Sequence, residues 1–461
     1  MQKKSYEMDM CTGSLWSKIL LFSIPLMLSG ILQLLFNAAD IVVVGRYAGS
    51  TSLAAVGSTS SLINLLTNLF IGLSIGSNVL IARYYGAKNL EATHKTLHTS
   101  ILFSLISGCI LTVIGITLAN PLLTLMGTPG DVLHLSALYM RIYFLGMPAM
   151  MLYNFGSAIL RGIGDTKRPL YFLTISGAVN VVLNLCFVII FQMNVAGVAL
   201  ATVISQCISA GLIVRSLMKQ QGACHLEIHD LHIDKEQLLK MIEVGLPAGI
   251  QGAIFSISNV LIQSSINSFG SIAMAGNTAA SNIESFIYIS MNSIYQTALS
   301  FTSQNLGAKK YHRINRILVI CLGIVMIIGM TMGWTTLCFG TKLLGIYSAD
   351  PEVIHFGLIR LSIICTTYFL CGTMDVVVGS LRGLGYSIMP MLVSLIGACG
   401  LRIVWIFTIF KWHRSLETLY ISYPITWMIT FIAHLICYFV IYKKKIQPAM
   451  IQEKAVSSHY I

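Results

Sequence analysis

Long apolar segments, separated by short polar stretches, follow one another along the whole chain. A helix that crosses a bilayer needs about 20 predominantly apolar residues, and the segments have this length or more. The pattern therefore predicts an all-α polytopic membrane protein with twelve transmembrane helices. We place these spans near residues 17–44, 53–82, 97–120, 137–160, 170–192, 195–214, 241–268, 272–304, 315–340, 353–381, 388–410 and 419–442.

Composition supports this fold class and excludes several others. Apolar residues make up 56% of the 461 residues, charged residues only 10%, and the mean hydropathy is +0.79. A soluble domain is about 25% charged, so a soluble enzyme, a disordered protein and a DNA-binding domain are all disfavoured. The net charge of +12 does not indicate a nucleic-acid partner, because the Lys and Arg residues cluster in alternate loops. This asymmetry predicts that both termini are cytoplasmic.

The chain repeats itself at an offset near 220 residues. LRGIGDTKRP at 160–169 recurs as LRGLGYSIMP at 381–390, GAKN at 86–89 recurs as GAKK at 307–310, and Pro25 has a counterpart in Pro247. Each repeat holds six spans, so both halves enter the membrane with the same orientation. We therefore expect two six-helix lobes related by a pseudo-twofold axis along the membrane normal. The predicted domains are an N-lobe at 1–215, a cytoplasmic linker at 216–240, a C-lobe at 241–445 and a cytoplasmic tail at 446–461.

The sequence lacks the phosphate-binding loop of nucleotide-driven pumps and the zinc motif of metalloproteases. It contains no GxxxxGK[ST] and no HExxH. GIGD at 162–165 resembles a protease motif, but its repeat copy GLGY lacks the Asp, so a glycine turn after a helix explains both copies. We predict a transporter without enzymatic activity or cofactor, driven by an ion gradient. The three histidines of the linker match no zinc spacing, and we expect a solvated loop there.

Three acidic residues lie well inside predicted spans, namely Asp40, Glu284 and Asp375. A carboxylate at the bilayer centre costs about 2.5–3.5 kcal/mol on insertion scales. Such a group normally faces the protein interior or a water-filled cavity, which makes each of the three a candidate functional residue. The alternative is a carboxylate that only caps or hydrogen-bonds a neighbouring helix.

Other polar residues extend the candidate site around Asp40. Asn180 and Asn184 are four residues apart and project from one helix face. Their carbonyl oxygens can join Asp40 around a hard cation such as sodium, or their amides can simply bond one helix to another. Thr202 offers another oxygen or satisfies a backbone carbonyl. Pro25 predicts a kink in the first span, which is either static or able to straighten and move Asp40.

In the second half, Arg402 lies inside the eleventh span. A buried cation needs a partner, and we expect Asp375 or Glu284 to supply it. Such a pair would hold the acid charged and make it a poor proton carrier. Glu284, Asp375 and Arg402 together form the candidate substrate site of the C-lobe.

These motifs together resemble the multidrug and toxic compound extrusion (MATE) transporters, in the bacterial DinF-like branch. The resemblance covers about residues 14–442. It depends on FNAADIVVVGR, the GAKN and GAKK copies, the two LRG motifs and NTAASNIESF. It implies two six-helix lobes that form a V, and alternating access driven by sodium or protons. The cargo that it implies is cationic and amphipathic.

The resemblance also assigns roles to single residues. It implies that Asp40 binds the coupling ion together with Asn180 and Thr202. Relatives often have Asp where Asn184 stands, which removes one carboxylate here. Many also have an Asp at the position of Cys371, one helical turn before Asp375.

We therefore predict a secondary active multidrug exporter in the plasma membrane. Its partners would be small organic cations and the lipid bilayer, and its site would hold no metal other than sodium at Asp40. We expect a monomer. The alternatives are a flippase for a lipid-linked or other amphipathic substrate, and a membrane protein without transport activity.

Overall fold

Every regular element of the protein that the structure describes is a helix. The structure is a computed structural model that describes residues 6–451. The first half contains α1 (Leu15–Val43), α2 (Gly49–Gly86), α3 (Leu90–Leu125), α4 (Gly130–Leu145), α5 (Met147–Gly162), α6 (Lys167–Leu185) and α7 (Asn194–Met218). The second half contains α8 (Lys235–Asn267), α9 (Ser271–Gly307), α10 (Tyr311–Cys338), α11 (Gly340–Gly345), α12 (Pro351–Thr367), α13 (Phe369–Gly383), α14 (Ile388–Ser394), α15 (Leu401–Phe407), α16 (Ile409–Trp412) and α17 (Leu416–Ile441).

The helices account for twelve spans within residues 6–451. Nine helical segments are long and apolar enough to cross a membrane, and two more spans are bent pairs, α4 with α5 and α12 with α13. The twelfth is α9, which is long but contains many polar residues. Most of these polar residues are buried, Asn277 and Glu284 among them, because a helix surrounded by protein does not have to be apolar towards lipid. The predicted all-α polytopic fold is confirmed.

The two bent spans differ from the sequence prediction, which has a single helix in each place. α4 and α5 meet at Gly146 with a bend of 48°, and α12 and α13 meet at Tyr368 with a bend of 44°. Pro148 at the start of α5 accounts for the first break, because proline disfavours a helical residue before it and lacks an N–H donor. The breaks occupy corresponding spans of the two halves.

Backbone conformation repeats at the matched motifs. Gly164 and Gly385 both have positive φ, 94° and 97°, in the turns of the two LRG motifs. Lys88 and Lys309 likewise have φ of 56° and 55° in GAKN and GAKK. The interpretation of GIGD as a glycine turn is confirmed.

The chain forms two compact units. Unit 1 comprises the described residues up to Asp9 together with Leu28–Ala253, and unit 2 comprises Met10–Met27 and the described residues from Ile254 onward. α1 therefore passes from unit 2 into unit 1, and α8 passes from unit 1 into unit 2. The N-lobe and C-lobe with their boundaries stay a prediction.

The predicted linker contains short helical turns between α7 and α8. Two 3₁₀ turns lie there, Gly222–Cys224 and Ile228–Asp230. Within residues 6–451, no group of three or more His, Cys, Asp or Glu side chains is arranged to hold a metal ion.

Candidate functional site

Asp40 lies in unit 1, on a face of α1 that packs closely against α6. Phe36 precedes it by one helical turn and projects from the same face. At Gly177 of α6, an added Cβ would lie only 1.9 Å from Cε2 of the Phe36 ring. Because glycine has no side chain, α6 approaches α1 here. The approach brings Asn180 and Asn184, which follow Gly177 on nearly the same face, towards Asp40.

Hydrogen bonds connect the four predicted residues in order. Asn184 Nδ2 donates to Asp40 Oδ1 and lies 3.3 Å from Asn180 Oδ1. Asn180 Nδ2 donates to Thr202 Oγ1 at 3.5 Å, and Thr202 Oγ1 donates to the Val198 carbonyl at 3.0 Å. The structure thus brings together four side chains from three helices, which we call the Asp40 cluster.

The Asp40 cluster contains an oxygen atom without a donor. Asn184 Oδ1 is buried and accepts no hydrogen bond within residues 6–451. Such an unsatisfied group costs about 1–3 kcal/mol. Hard cations take carboxylate and amide oxygens as ligands, and a proton on the carboxylate would also provide a donor. The chemistry of the cluster is therefore suited to a small cation or a proton.

Wide helical turns adjoin the candidate residues. π-helical segments at Val44–Ala48 and Cys186–Ile190 follow Asp40 and Asn184, and a third at Leu395–Gly400 precedes Arg402. π-turns are uncommon in proteins and occur often at functional sites. Each one changes the register of its helix and so redirects the side chains beyond it.

In unit 2, Glu284 forms a closed ion pair with Arg360. Arg360 Nε donates to Glu284 Oε1 at 2.9 Å, and its Nη2 donates to Oε2 at 2.7 Å. Its Nη1 donates to Asn277 Oδ1 at 2.7 Å, and Tyr420 donates to the same oxygen at 3.2 Å. Both carboxylate oxygens of Glu284 are occupied, so this acid is not available to a cationic ligand in this conformation.

Arg402 does not pair with either acid, and that prediction is wrong. Its guanidinium lies 4.0 Å from the centre of the Tyr423 ring, and its Nη2 donates to Thr426 Oγ1 at 3.1 Å. Within residues 6–451 it forms no salt bridge. Glu284 is unavailable because Arg360, on the neighbouring α12, reaches it with better geometry.

The two remaining predicted residues are Asp375 and Pro25. Asp375 lies on α13, is half-buried, and makes no hydrogen bond or salt bridge to the described residues. Pro25 lies inside α1, in the part of the helix that belongs to unit 2. Its role as a moving kink stays a prediction.

Sequence reasoning missed several residues that shape these sites. Arg360 was visible as a cation inside a span, but nothing in its spacing indicated Glu284, which lies 76 residues earlier. Asn277 and Glu284 are seven residues apart, two helical turns, and this spacing was a usable signal. The role of Gly177 could be recognised only from the structure, in which the Phe36 ring lies against it.

Comparison with known proteins gives the family. The MatE family model matches residues 25–186 and 247–408, one match in each half. A Bacillus subtilis relative named probable multidrug resistance protein YoeA is 30% identical over 448 residues, which cover 95% of this chain and 96% of the relative. A Shewanella oneidensis relative named FAD transporter is 24% identical, covering 81% and 83%.

Solved structures support the same fold. A MOP superfamily transporter from Pyrococcus furiosus superposes with a TM-score of 0.89 at 22% identity, covering 97% of this chain and 100% of that one. The chain belongs to the MatE family of transporters. The predictions of a multi-pass membrane transporter and of a protein that is not an enzyme are confirmed.

Proposed function

We propose that this protein is a secondary active multidrug exporter that exchanges sodium or protons for amphipathic organic cations. The observation that carries the proposal is the Asp40 cluster, in which a carboxylate and a donorless amide oxygen lie inside the membrane-spanning part of unit 1. Ion binding there would alternate with ion release as the transporter changes conformation. The names of the multidrug relatives support the cargo class.

The proposed cycle needs differential binding. A ligand shifts a conformational equilibrium only by the difference in its affinity for the two states. Sodium or a proton arriving from outside would neutralise Asp40 and weaken the binding of a cationic drug, which then leaves. The ion-loaded protein would turn inward, release the ion and reload. We propose a monomer in the plasma membrane with both termini cytoplasmic.

The test is transport of an organic cation in proteoliposomes. Flux of ethidium would be measured under an imposed proton gradient and, separately, under a sodium gradient. We expect flux under one of the gradients, lost in Asp40→Asn, which keeps the size of the side chain and removes its charge. Asp131→Asn is the matched control, since Asp131 is an exposed acid at the start of α4, and it should transport normally.

Two results would overturn the proposal. Undiminished flux in Asp40→Asn would remove Asp40 from coupling. Absence of flux in the unaltered protein under either gradient would favour another cargo. The name of the FAD transporter relative indicates that cargo differs among the relatives of this chain, and FAD carries negative charge.

A further inference from the structure

Two of the three buried guanidinium groups of unit 2, those of Arg360 and Arg402, are unequally satisfied. All three nitrogens of Arg360 donate hydrogen bonds, to Glu284 and to Asn277. Arg402 is also buried, with 5% of its surface exposed, yet to the described part of the chain it makes a single hydrogen bond, which goes to the Thr426 hydroxyl. One of these cations is therefore fully compensated within the protein, and the other is not.

Contact with aromatic rings does not replace a counter-ion for Arg402. Its guanidinium lies over Tyr423 and 5.9 Å from the centre of Trp427. A cation–π contact stabilises a charge much less than burial without a counter-ion destabilises it. Arg402 Nε is moreover buried and without an acceptor within residues 6–451. A negatively charged partner is missing from the described protein.

Arg402 still presents a nitrogen to a ligand. Its Nη1 makes no hydrogen bond to the described residues and, unlike Nε, is not fully enclosed. The surrounding walls are aromatic, because Tyr368 stacks on Trp427 at 5.4 Å and Tyr423 meets the same ring edge-on at 5.4 Å. A cation bordered by aromatic faces suits a ligand that joins an acidic group to an aromatic body.

We propose that Arg402 binds the carboxylate of aromatic amphipathic substrates, with Tyr423 and Trp427 as the wall for their ring systems. The proposal rests on the proposed function and narrows its substrate class. Asp375 is half-buried and has no hydrogen-bonded partner among the described residues, so it can bind an amine. With Glu284 occupied by Arg360, Asp375 is the acid inside a span of unit 2 that has no hydrogen-bonded partner among the described residues. The preferred substrates are therefore amphipathic amines that also carry a carboxylate.

A pair of dyes that differ only at the carboxylate tests this. Binding to the purified full-length protein would be followed by fluorescence polarisation of a rhodamine with a free carboxylate and of its methyl ester. We expect Arg402→Gln to weaken binding of the carboxylate dye about tenfold or more, the factor expected for one lost charge-assisted hydrogen bond. Binding of the ester should change less than about twofold by the same argument.

Further variants separate recognition from folding. Arg402→Lys keeps the charge without the planar fork and should weaken binding of the carboxylate dye less than Arg402→Gln does. Arg414→Gln removes an exposed cation of the same unit and should bind both dyes as the unaltered protein does. Unchanged binding of the ester also reports that the Arg402 variants are folded.

Two outcomes would overturn the proposal. Equal losses for both dyes in Arg402→Gln would mean that Arg402 only supports the structure, and no loss for either would mean that it does not touch substrate. Neither outcome depends on ion coupling, because binding is measured without a gradient. A negative result in this binding assay is therefore distinguishable from a negative result in the transport test of Asp40.

Discussion

Asp40 of unit 1 and Glu284 of unit 2, two acids inside membrane spans, have partners of opposite kinds. In unit 1, the carboxylate of Asp40 accepts a hydrogen bond from the Asn184 amide, and no cationic side chain forms a salt bridge with it within the described residues. In unit 2, Glu284 is bound to Arg360 by two hydrogen bonds, and the cation of Arg402 forms no salt bridge with the described residues.

The carboxylates of Asp40 and Glu284 differ in how readily each can exchange its partner. Separating a carboxylate from a bidentate guanidinium costs much free energy, because both ions are then left buried and unpaired. A carboxylate that accepts hydrogen bonds from neutral amides can gain a cation or a proton without breaking an ion pair. Exchange chemistry is therefore expected in unit 1 and a structural ion pair in unit 2.

The largest expected effect comes from breaking the ion pair. Glu284→Gln leaves the Arg360 cation without a counter-ion, which destabilises a protein by about 3–5 kcal/mol. Thermal unfolding of the purified protein in detergent would measure the loss. The double variant Glu284→Gln with Arg360→Gln removes both charges and should recover part of the stability. If the single variant unfolds at the original temperature, the ion pair is not structural.

A second change would make unit 1 more acidic. Asn184→Asp places a second carboxylate beside Asp40, and two adjacent carboxylates favour a shared cation or proton. We expect sodium to stabilise this variant more than the unaltered protein. When sodium exceeds its dissociation constant from the variant a hundredfold, the variant should gain about 2.7 kcal/mol relative to its sodium-free form. Melting temperatures in sodium and in N-methylglucamine chloride would be compared, with Asn184→Ala as control. Equal responses to sodium in all three proteins would contradict the expectation.

A third change tests the close approach that forms the Asp40 cluster. Gly177→Ala puts a methyl group against the Phe36 ring and should cost about 1–3 kcal/mol through overpacking. Thermal unfolding again measures the effect. Adding Phe36→Leu makes room and should restore part of the loss. A Gly177→Ala protein with normal stability and normal transport would mean that α1 and α6 tolerate separation.

The smallest effect is expected at an exposed pair of unit 1. Lys95 and Glu91 form a solvent-exposed salt bridge one turn apart on α3. Exposed pairs contribute little because water screens them, so Glu91→Gln should leave the unfolding temperature unchanged. A shift as large as that of Glu284→Gln would show that burial is not what distinguishes the ion pair of unit 2.

Local pattern was sufficient for much of this molecule. Apolar length predicted the spans, and the spacing of Asn180 and Asn184 predicted the shared face that meets Asp40. The partner of Glu284 was not predictable, because two helices far apart in sequence meet only through tertiary packing. The sequence predicted a span at the position of α9. The burial of its polar residues inside unit 2 was not predictable, because it depends on neighbouring helices that the local sequence does not identify.

The course of α1 and α8 has a consequence for how the protein can be divided. Each unit contains the opening stretch of a helix whose remainder lies in the other unit. The stretch 15–27 of α1 belongs to unit 2, and the stretch 235–253 of α8 belongs to unit 1. A gene cut in the predicted linker at 216–240 would therefore encode two fragments, neither of which carries a complete unit. Such fragments should assemble only when they are produced together, as in split-protein complementation.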